Sequence, residues 1–231
     1  MGGKDWIEGL NRIKTRQDLP ITISGGEPTL HPDFFDIVNN TKQPMDLLTN
    51  GEFSLSDFWG KIDSETFKRD APYASIRFSY HNGYTRFFTL LQKVIRLQDT
   101  GYSVGIWAVG KTLYNRSIQL LARFMDVDFR LKELLDKKHG TYKYPLAVNG
   151  YPKSCRCKPS EMLIAPDGRL FRCHFELYHG LNSYGHILDN NIKLPTEFAP
   201  CENMGMCSPC DIKLKFSRHQ VWGHCSVEIN G

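Results

Sequence analysis

Two groups of residues have types and spacings suited to chemistry. Seven cysteines stand at positions 155, 157, 173, 201, 207, 210 and 225, and none precedes Cys155. In a reducing compartment, thiols this closely spaced are metal ligands more often than a disulfide framework, and the odd count fits incomplete pairing. Cys207 and Cys210 bracket a two-residue turn that presents two thiolates to one centre, and a hairpin ending at Cys173 brings a third from its far strand. Four such thiolates hold a [4Fe-4S] cluster or a tetrahedral zinc ion; sulfur ligation alone does not choose between them.

The second group is Ser24-Gly25-Gly26-Glu27-Pro28, directly after the β-branched run PITIS. A loop at the carboxyl end of a parallel strand is where open sheets and barrels build their sites. Consecutive glycines let the backbone approach a ligand closely, and Glu27 adds a carboxylate able to hold a cation. The plainer alternative is that Gly25 and Gly26 only make a strand-to-helix turn.

The elements that must position these residues follow from periodicity. Trp6, Ile7, Leu10 and Ile13 recur at helical spacing and predict an amphipathic helix ending before Asp18-Leu19-Pro20. After PITIS come a helix from His31-Pro32-Asp33 through FFDIV, a strand MDLL and a turn at Thr49-Asn50-Gly51. Helices at 54–62, 85–98 and 117–125 then alternate with strands at 73–80, 103–109 and 127–134. Short strands alternating with helices imply parallel strands joined by right-handed crossovers, as in a barrel or an open doubly wound sheet. A full eight-unit barrel takes ~250 residues, so residues 1–150 predict an α/β fold that is a partial (β/α) barrel. Residues 151–231 form a second, small Cys-rich domain, in which Met162 to Cys173 is a hairpin turning at Pro166-Asp167-Gly168.

Composition removes several classes of function. Lys plus Arg number 29 against 25 Asp plus Glu, a net charge of +4 that is spread rather than clustered, so nucleic-acid binding gets no support. A mean hydropathy of −0.39 and the lack of a long apolar run argue against a membrane span. The amphipathic, acid-containing start has no secretory pattern, and a cytoplasmic location is expected.

ITISGGEPTLHPDFFDIV resembles the radical S-adenosylmethionine (radical SAM) superfamily, whose GGEP-type loop binds the methionyl amino group of SAM. LLTNGE looks like that superfamily's third strand with its Asn-Gly turn, and ASIRFSYHNG like the fourth. The resemblance implies that Gly25, Gly26, Glu27, Pro28 and Asn50 bind cofactor, with Ser79 and His81 at a strand end facing the site. Ten residues separate Cys157 from Gly168 and four separate Gly168 from Cys173, matching the C-x(9-15)-G-x(4)-C pattern of the auxiliary iron-sulfur domains called SPASM and twitch. Cys155 fits the same pattern with twelve residues before Gly168. The resemblance points to one auxiliary [4Fe-4S] cluster, as in twitch domains, held by Cys157, Cys173, Cys207 and Cys210, with Cys155, Cys201 and Cys225 in reserve.

The family implies radical chemistry driven by SAM, a reducing partner such as flavodoxin or ferredoxin and, by analogy, a peptide or protein substrate. It also implies a Cys-x3-Cys-x2-Cys loop upstream of GGEP that carries a second [4Fe-4S] cluster. This sequence has no cysteine there, so the expectation is a barrel lacking its first strand and cluster loop, an N-terminally truncated enzyme. The alternatives are a non-catalytic iron-sulfur protein and a zinc-stapled α/β scaffold.

Overall fold

The computed structural model describes residues 1–15, 19–132, 153–159, 161–204 and 225–229. The chain divides into two units, Gly2–Leu134 and Leu135–Gly231, the latter grouped with Met1.

In the first unit, five strands form one parallel sheet: β1 (Ile21–Ile23), β2 (Met45–Thr49), β3 (Ile76–Tyr80), β4 (Val104–Val109) and β5 (Asp128–Lys132). They lie in sequence order, β1-β2-β3-β4-β5. When every crossover has the same hand and steps to the next neighbour, its helices collect on one face of the sheet. The core agrees, since Met45 and Leu47, Ile76, Phe78 and Tyr80, Ile106 and Ala108, and Phe129 alternate along their strands and join a single buried cluster. The fold is therefore α/β with a parallel sheet, as expected from the alternation of elements.

The helices covering that face are α2 (Phe34–Asn40), α3 (Leu55–Lys61), α4 (Phe87–Asp99) and α5 (Leu113–Phe124), while α1 (Gly3–Arg12) packs on α2. In α4, Phe87, Leu90, Leu91, Val94 and Leu97 are buried, the apolar stripe of an amphipathic helix. The start of α5 is four residues earlier than the periodicity suggested. Thr112 Oγ1 accepts a hydrogen bond from the Asn115 amide at 3.1 Å, and Asn115 Nδ2 donates to the carbonyls of Val109 and Gly110. This N-cap precedes the first apolar repeat, so the periodic signal begins after the helix does.

In the second unit, β6 (Lys153–Pro159) pairs antiparallel with both β10 (Ala199–Met204) and β11 (Cys225–Ile229). The expected hairpin is present as β7 (Leu163–Ile164) and β8 (Arg169–Phe171), with the Gly168 amide donating to the Ala165 carbonyl across the turn. β9 (Gly185–His186) adds a third strand beside β8, and α6 (His174–His179) begins directly after Cys173. No helix among the described residues is long and apolar enough to cross a membrane.

Candidate functional site

The GGEP loop leaves the carboxyl end of β1 through two glycines with positive φ. Gly25 has φ +90° and Gly26 φ +54°, a region that L side chains rarely adopt. A Cβ built on either would meet no atom within 4 Å, so the space over both is open. Pro28 is buried at the start of a short 3-10 helix, Pro28–Leu30, and fixes the loop's exit.

Glu27 is the clasp of this loop. Its Oε1 accepts from the Thr29 amide at 3.2 Å, the Thr29 hydroxyl at 2.7 Å and the Thr49 hydroxyl at 2.7 Å. Its Oε2 accepts from the Asn50 amide at 2.6 Å. The carboxylate thus ties the loop after β1 to the end of β2. An ionised carboxylate has about four acceptor positions over its two oxygens, and with three of these bonds on Oε1, a lone pair remains on Oε2 for one further donor. Asn50 takes part through its backbone, while its side-chain oxygen accepts from the Glu52 amide at 2.9 Å.

The turn behind this clasp is held from the helical side. Gly51 has φ +78°, and a Cβ there would lie 2.6 Å from the Phe78 ring. Lys93 of α4 donates to the carbonyls of Gly51 and Phe53, and burial lowers its pKa below the ordinary lysine value. Ser79 is half-buried near the end of β3, and His81 is exposed one residue beyond it. Alternation along β3 puts both on the face away from the helical core.

That second face also carries a charged and aromatic network that periodicity did not single out. Asp46 is fully buried and accepts from Arg69 in a bidentate pair, Nε to Oδ1 at 2.8 Å and Nη2 to Oδ2 at 2.9 Å. Arg77 Nη2 lies 3.1 Å from Asp46 Oδ2. The Arg77 guanidinium stacks 4.7 Å from the Trp107 ring centre and 5.5 Å from that of Tyr73. Burial lowers its pKa, and the Asp46 charge opposes that shift. The available signal was a lone charge inside each apolar strand, Asp46 in MDLL and Arg77 in IRFSY.

Two open clefts accompany the sheet. One, about 450 Å³, runs along the β5 edge by Gln119 and Arg123; the other, about 370 Å³, lies by Tyr73, Ser103, Asp128 and Arg130. Neither includes a residue of the GGEP loop.

In the second unit, β6 places Cys155 and Cys157 on one face, two residues apart, and the antiparallel register sets Cys201 opposite Cys155. Cys155 is buried, and its Sγ lies 3.5 Å from the Cys201 carbonyl oxygen. Cys173 caps α6, its sulfur accepting from the Glu176 amide at 3.5 Å. Arg172 is paired with buried Glu176, which raises its pKa first and most; the Cys201 and Cys173 sulfurs raise it further. Cys155, Cys157, Cys173 and Cys201 are not in disulfides. Cys225 begins β11 opposite Pro159, and Cys207 and Cys210 lie outside the described residues.

The donor chemistry of these thiols suits iron or zinc, yet among the described residues no three His, Cys, Asp or Glu side chains converge as a metal site. In comparisons with protein families, curated proteins and solved structures, nothing matches the chain.

Proposed function

We propose that this chain is a radical SAM protein: a partial (β/α) barrel whose GGEP loop binds SAM, with an auxiliary [4Fe-4S] cluster in the cysteine-rich unit. The observation that carries the reading is the Glu27 clasp at the carboxyl end of a parallel strand. It supports an ammonium-binding role, because Gly25 and Gly26 leave open space beside a carboxylate oxygen with a lone pair to spare. The methionyl amine of SAM would donate to Glu27 Oε2 and to backbone carbonyls of the loop, while the Thr29, Thr49 and Asn50 contacts keep the carboxylate aimed. In this family, SAM supplies a 5'-deoxyadenosyl radical after accepting one electron, which a flavodoxin or ferredoxin would deliver here, through a cluster on a Cys-x3-Cys-x2-Cys loop. Residues 1–231 contain no such loop, so binding is the step assigned to these residues.

For the auxiliary cluster, Cys157, Cys173, Cys207 and Cys210 remain the proposed ligands. Cys155, Cys201 and Cys225 are the alternatives, and the antiparallel register that sets Cys201 opposite Cys155 supports the first two. A peptide or protein substrate is the class proposed from the resemblance.

The test is calorimetric SAM binding to the protein after anaerobic reconstitution with iron and sulfide. Binding that weakens by roughly tenfold or more in Glu27→Gln, together with acid-labile sulfide in the preparation, supports the reading. Absence of SAM binding, or a colourless protein carrying zinc, overturns it in favour of a metal-stapled scaffold.

A further inference from the structure

Two of the thiols that the proposed cluster leaves over are arranged for a chemistry of their own. With Cys157, Cys173, Cys207 and Cys210 as its ligands, Cys155 and Cys201 are spare, and the register of β6 and β10 sets them directly opposite one another. Opposed residues of an antiparallel pair project to the same face, with Cα atoms about 4.5–5.5 Å apart, and a disulfide spans about 4.4–6.8 Å. Cys155 Sγ lies 3.5 Å from the Cys201 carbonyl oxygen, and neither residue is in a disulfide. The pairing is regular through Cys201, and the register shifts only between Cys201 and Met204.

No other described cysteine is so placed. Cys157 faces Ala199 on one side and Val227 on the other. Cys155 and Cys157 share a strand, where Cα atoms two residues apart are separated by about 6.6 Å and the Cβ bonds run side by side rather than toward each other. Cys225 stands opposite Pro159, and the Cys173 sulfur caps α6. Exposure separates the two members of the pair: Cys155 is 1% exposed, whereas Cys201 is half-buried and reachable from solvent.

We propose that Cys155 and Cys201 are a dithiol–disulfide pair, separate from the cluster and oxidised by a small disulfide of the glutathione type. The Cys201 sulfur attacks one sulfur of glutathione disulfide, breaking its S–S bond, releasing one glutathione and leaving Cys201 in a mixed disulfide. The Cys155 sulfur then attacks the Cys201 sulfur and displaces the second glutathione. The protein loses one hydrogen from each thiol and is oxidised; glutathione disulfide takes up both hydrogens and leaves as two thiols. The bridge closes a loop from 155 to 201 that contains the β7–β8 hairpin, α6 and Cys173, and so restrains a segment that carries a proposed cluster ligand. The pairing rests on strand register; only its separateness from a cluster rests on the radical SAM reading.

The test uses the full chain, reconstituted anaerobically with iron and sulfide and equilibrated with glutathione buffers of increasing oxidised fraction. Samples are quenched in acid, alkylated with N-ethylmaleimide and mapped by peptide mass. The expected product is a Cys155–Cys201 bridge that dithiothreitol reverses, with the other five of the seven cysteines alkylated and the iron retained. Amide exchange at Leu170 and Phe171, inside the closed loop, is expected to slow about tenfold. Cys155→Ser is expected to accumulate glutathione on Cys201, while Cys201→Ser leaves the buried Cys155 unmodified, both with the circular dichroism spectrum of the parent.

Alkylation of all seven cysteines at the most oxidising ratio, or a bridge between any other two, overturns the inference. A Cys155–Cys201 bridge that forms only as iron is lost makes the two thiols cluster ligands and overturns their role as a separate pair. Unchanged exchange at Leu170 and Phe171 in the bridged protein overturns the restraint on the loop. If the bridge forms in a protein that takes up no iron-sulfur cluster, the pair stands and the radical SAM reading falls.

Discussion

Glu27 shows how a residue readable for its chemistry acquires its role from distant contacts. Its place after two glycines marked it as a cation-holding carboxylate, but nothing in local spacing foretold Thr49, 22 residues away, as the hydroxyl that orients it. Removing the carboxylate leaves two backbone amides and two hydroxyls without their acceptor. Glu27→Ala is expected to cost about 2 kcal/mol and to raise hydrogen exchange at the Thr29 and Asn50 amides; unchanged exchange there would refute the clasp. Asp46 is the sharper case. It is fully buried between Arg69 and Arg77, and truncating one member of a buried ion pair strands the other's charge, at a typical cost of about 3–5 kcal/mol. Urea denaturation of Asp46→Ala is expected to fall in that range. Asp46→Asn, which keeps hydrogen-bonding capacity, loses less. MDLL and IRFSY were legible as strands from their apolar residues. That their single charges meet was not, because the meeting depends on β2–β3 register rather than on either segment's composition.

At the scale of elements, the alternation of helix and strand was legible in the sheet unit because its central elements carry clear apolar patterns, as the stripe of α4 and the inward face of β3 show. α5 departed from its expected start because capping is polar chemistry, invisible to an apolar period. Thr112→Ala removes that cap and is expected to lower stability by about 1 kcal/mol, read as a shift in the denaturation midpoint at constant slope. The three-stranded sheet β10-β6-β11 was not legible at all. Lys153–Pro159 mixes charges with cysteines, and its register joins Cys155 to Cys201 across 46 residues, so no local pattern announces it. Beside β9, Tyr184 gives this unit an alkaline signature. Its hydroxyl is buried with no hydrogen-bond partner among the described residues, and burial pushes its pKa up to about 12. The unfolded tyrosine ionises near its ordinary value of about 10, whereas the folded one holds its proton longer. The unfolded state then binds fewer protons, so stability is full below pH 10 and declines as pH rises from about 10 to about 12. Tyr184→Phe is expected to reduce that decline without loss at neutral pH, since it deletes an unsatisfied hydroxyl. An unchanged alkaline profile would assign the decline to other tyrosines.

Across the whole molecule, the described residues of the two units differ in how much core they contain. The sheet unit gathers Phe58, Phe78, Ile106, Val94 and many other apolar side chains into one buried cluster. Among the described residues of the cysteine-rich unit, the buried apolar set is small: Cys155, Ala165, Leu170, Phe171, Phe175 and Ile187. Units with a small core commonly gain stability from disulfides or bound metal, and Cys155, Cys157, Cys173 and Cys201 form no disulfide. If thiolates of this unit hold a cluster, its binding free energy is also folding free energy, because no preformed site exists in the unfolded chain. Stripping iron with a chelator is then expected to release amide protection selectively at Leu170, Phe171 and Ile187, while Phe78 and Ile106 in the sheet stay protected. Hydrogen exchange with and without chelator reads both sets in one sample. Protection of Leu170, Phe171 and Ile187 that survives complete metal removal would mean that the small core suffices by itself, and the clustered cysteines would then need an explanation other than stability.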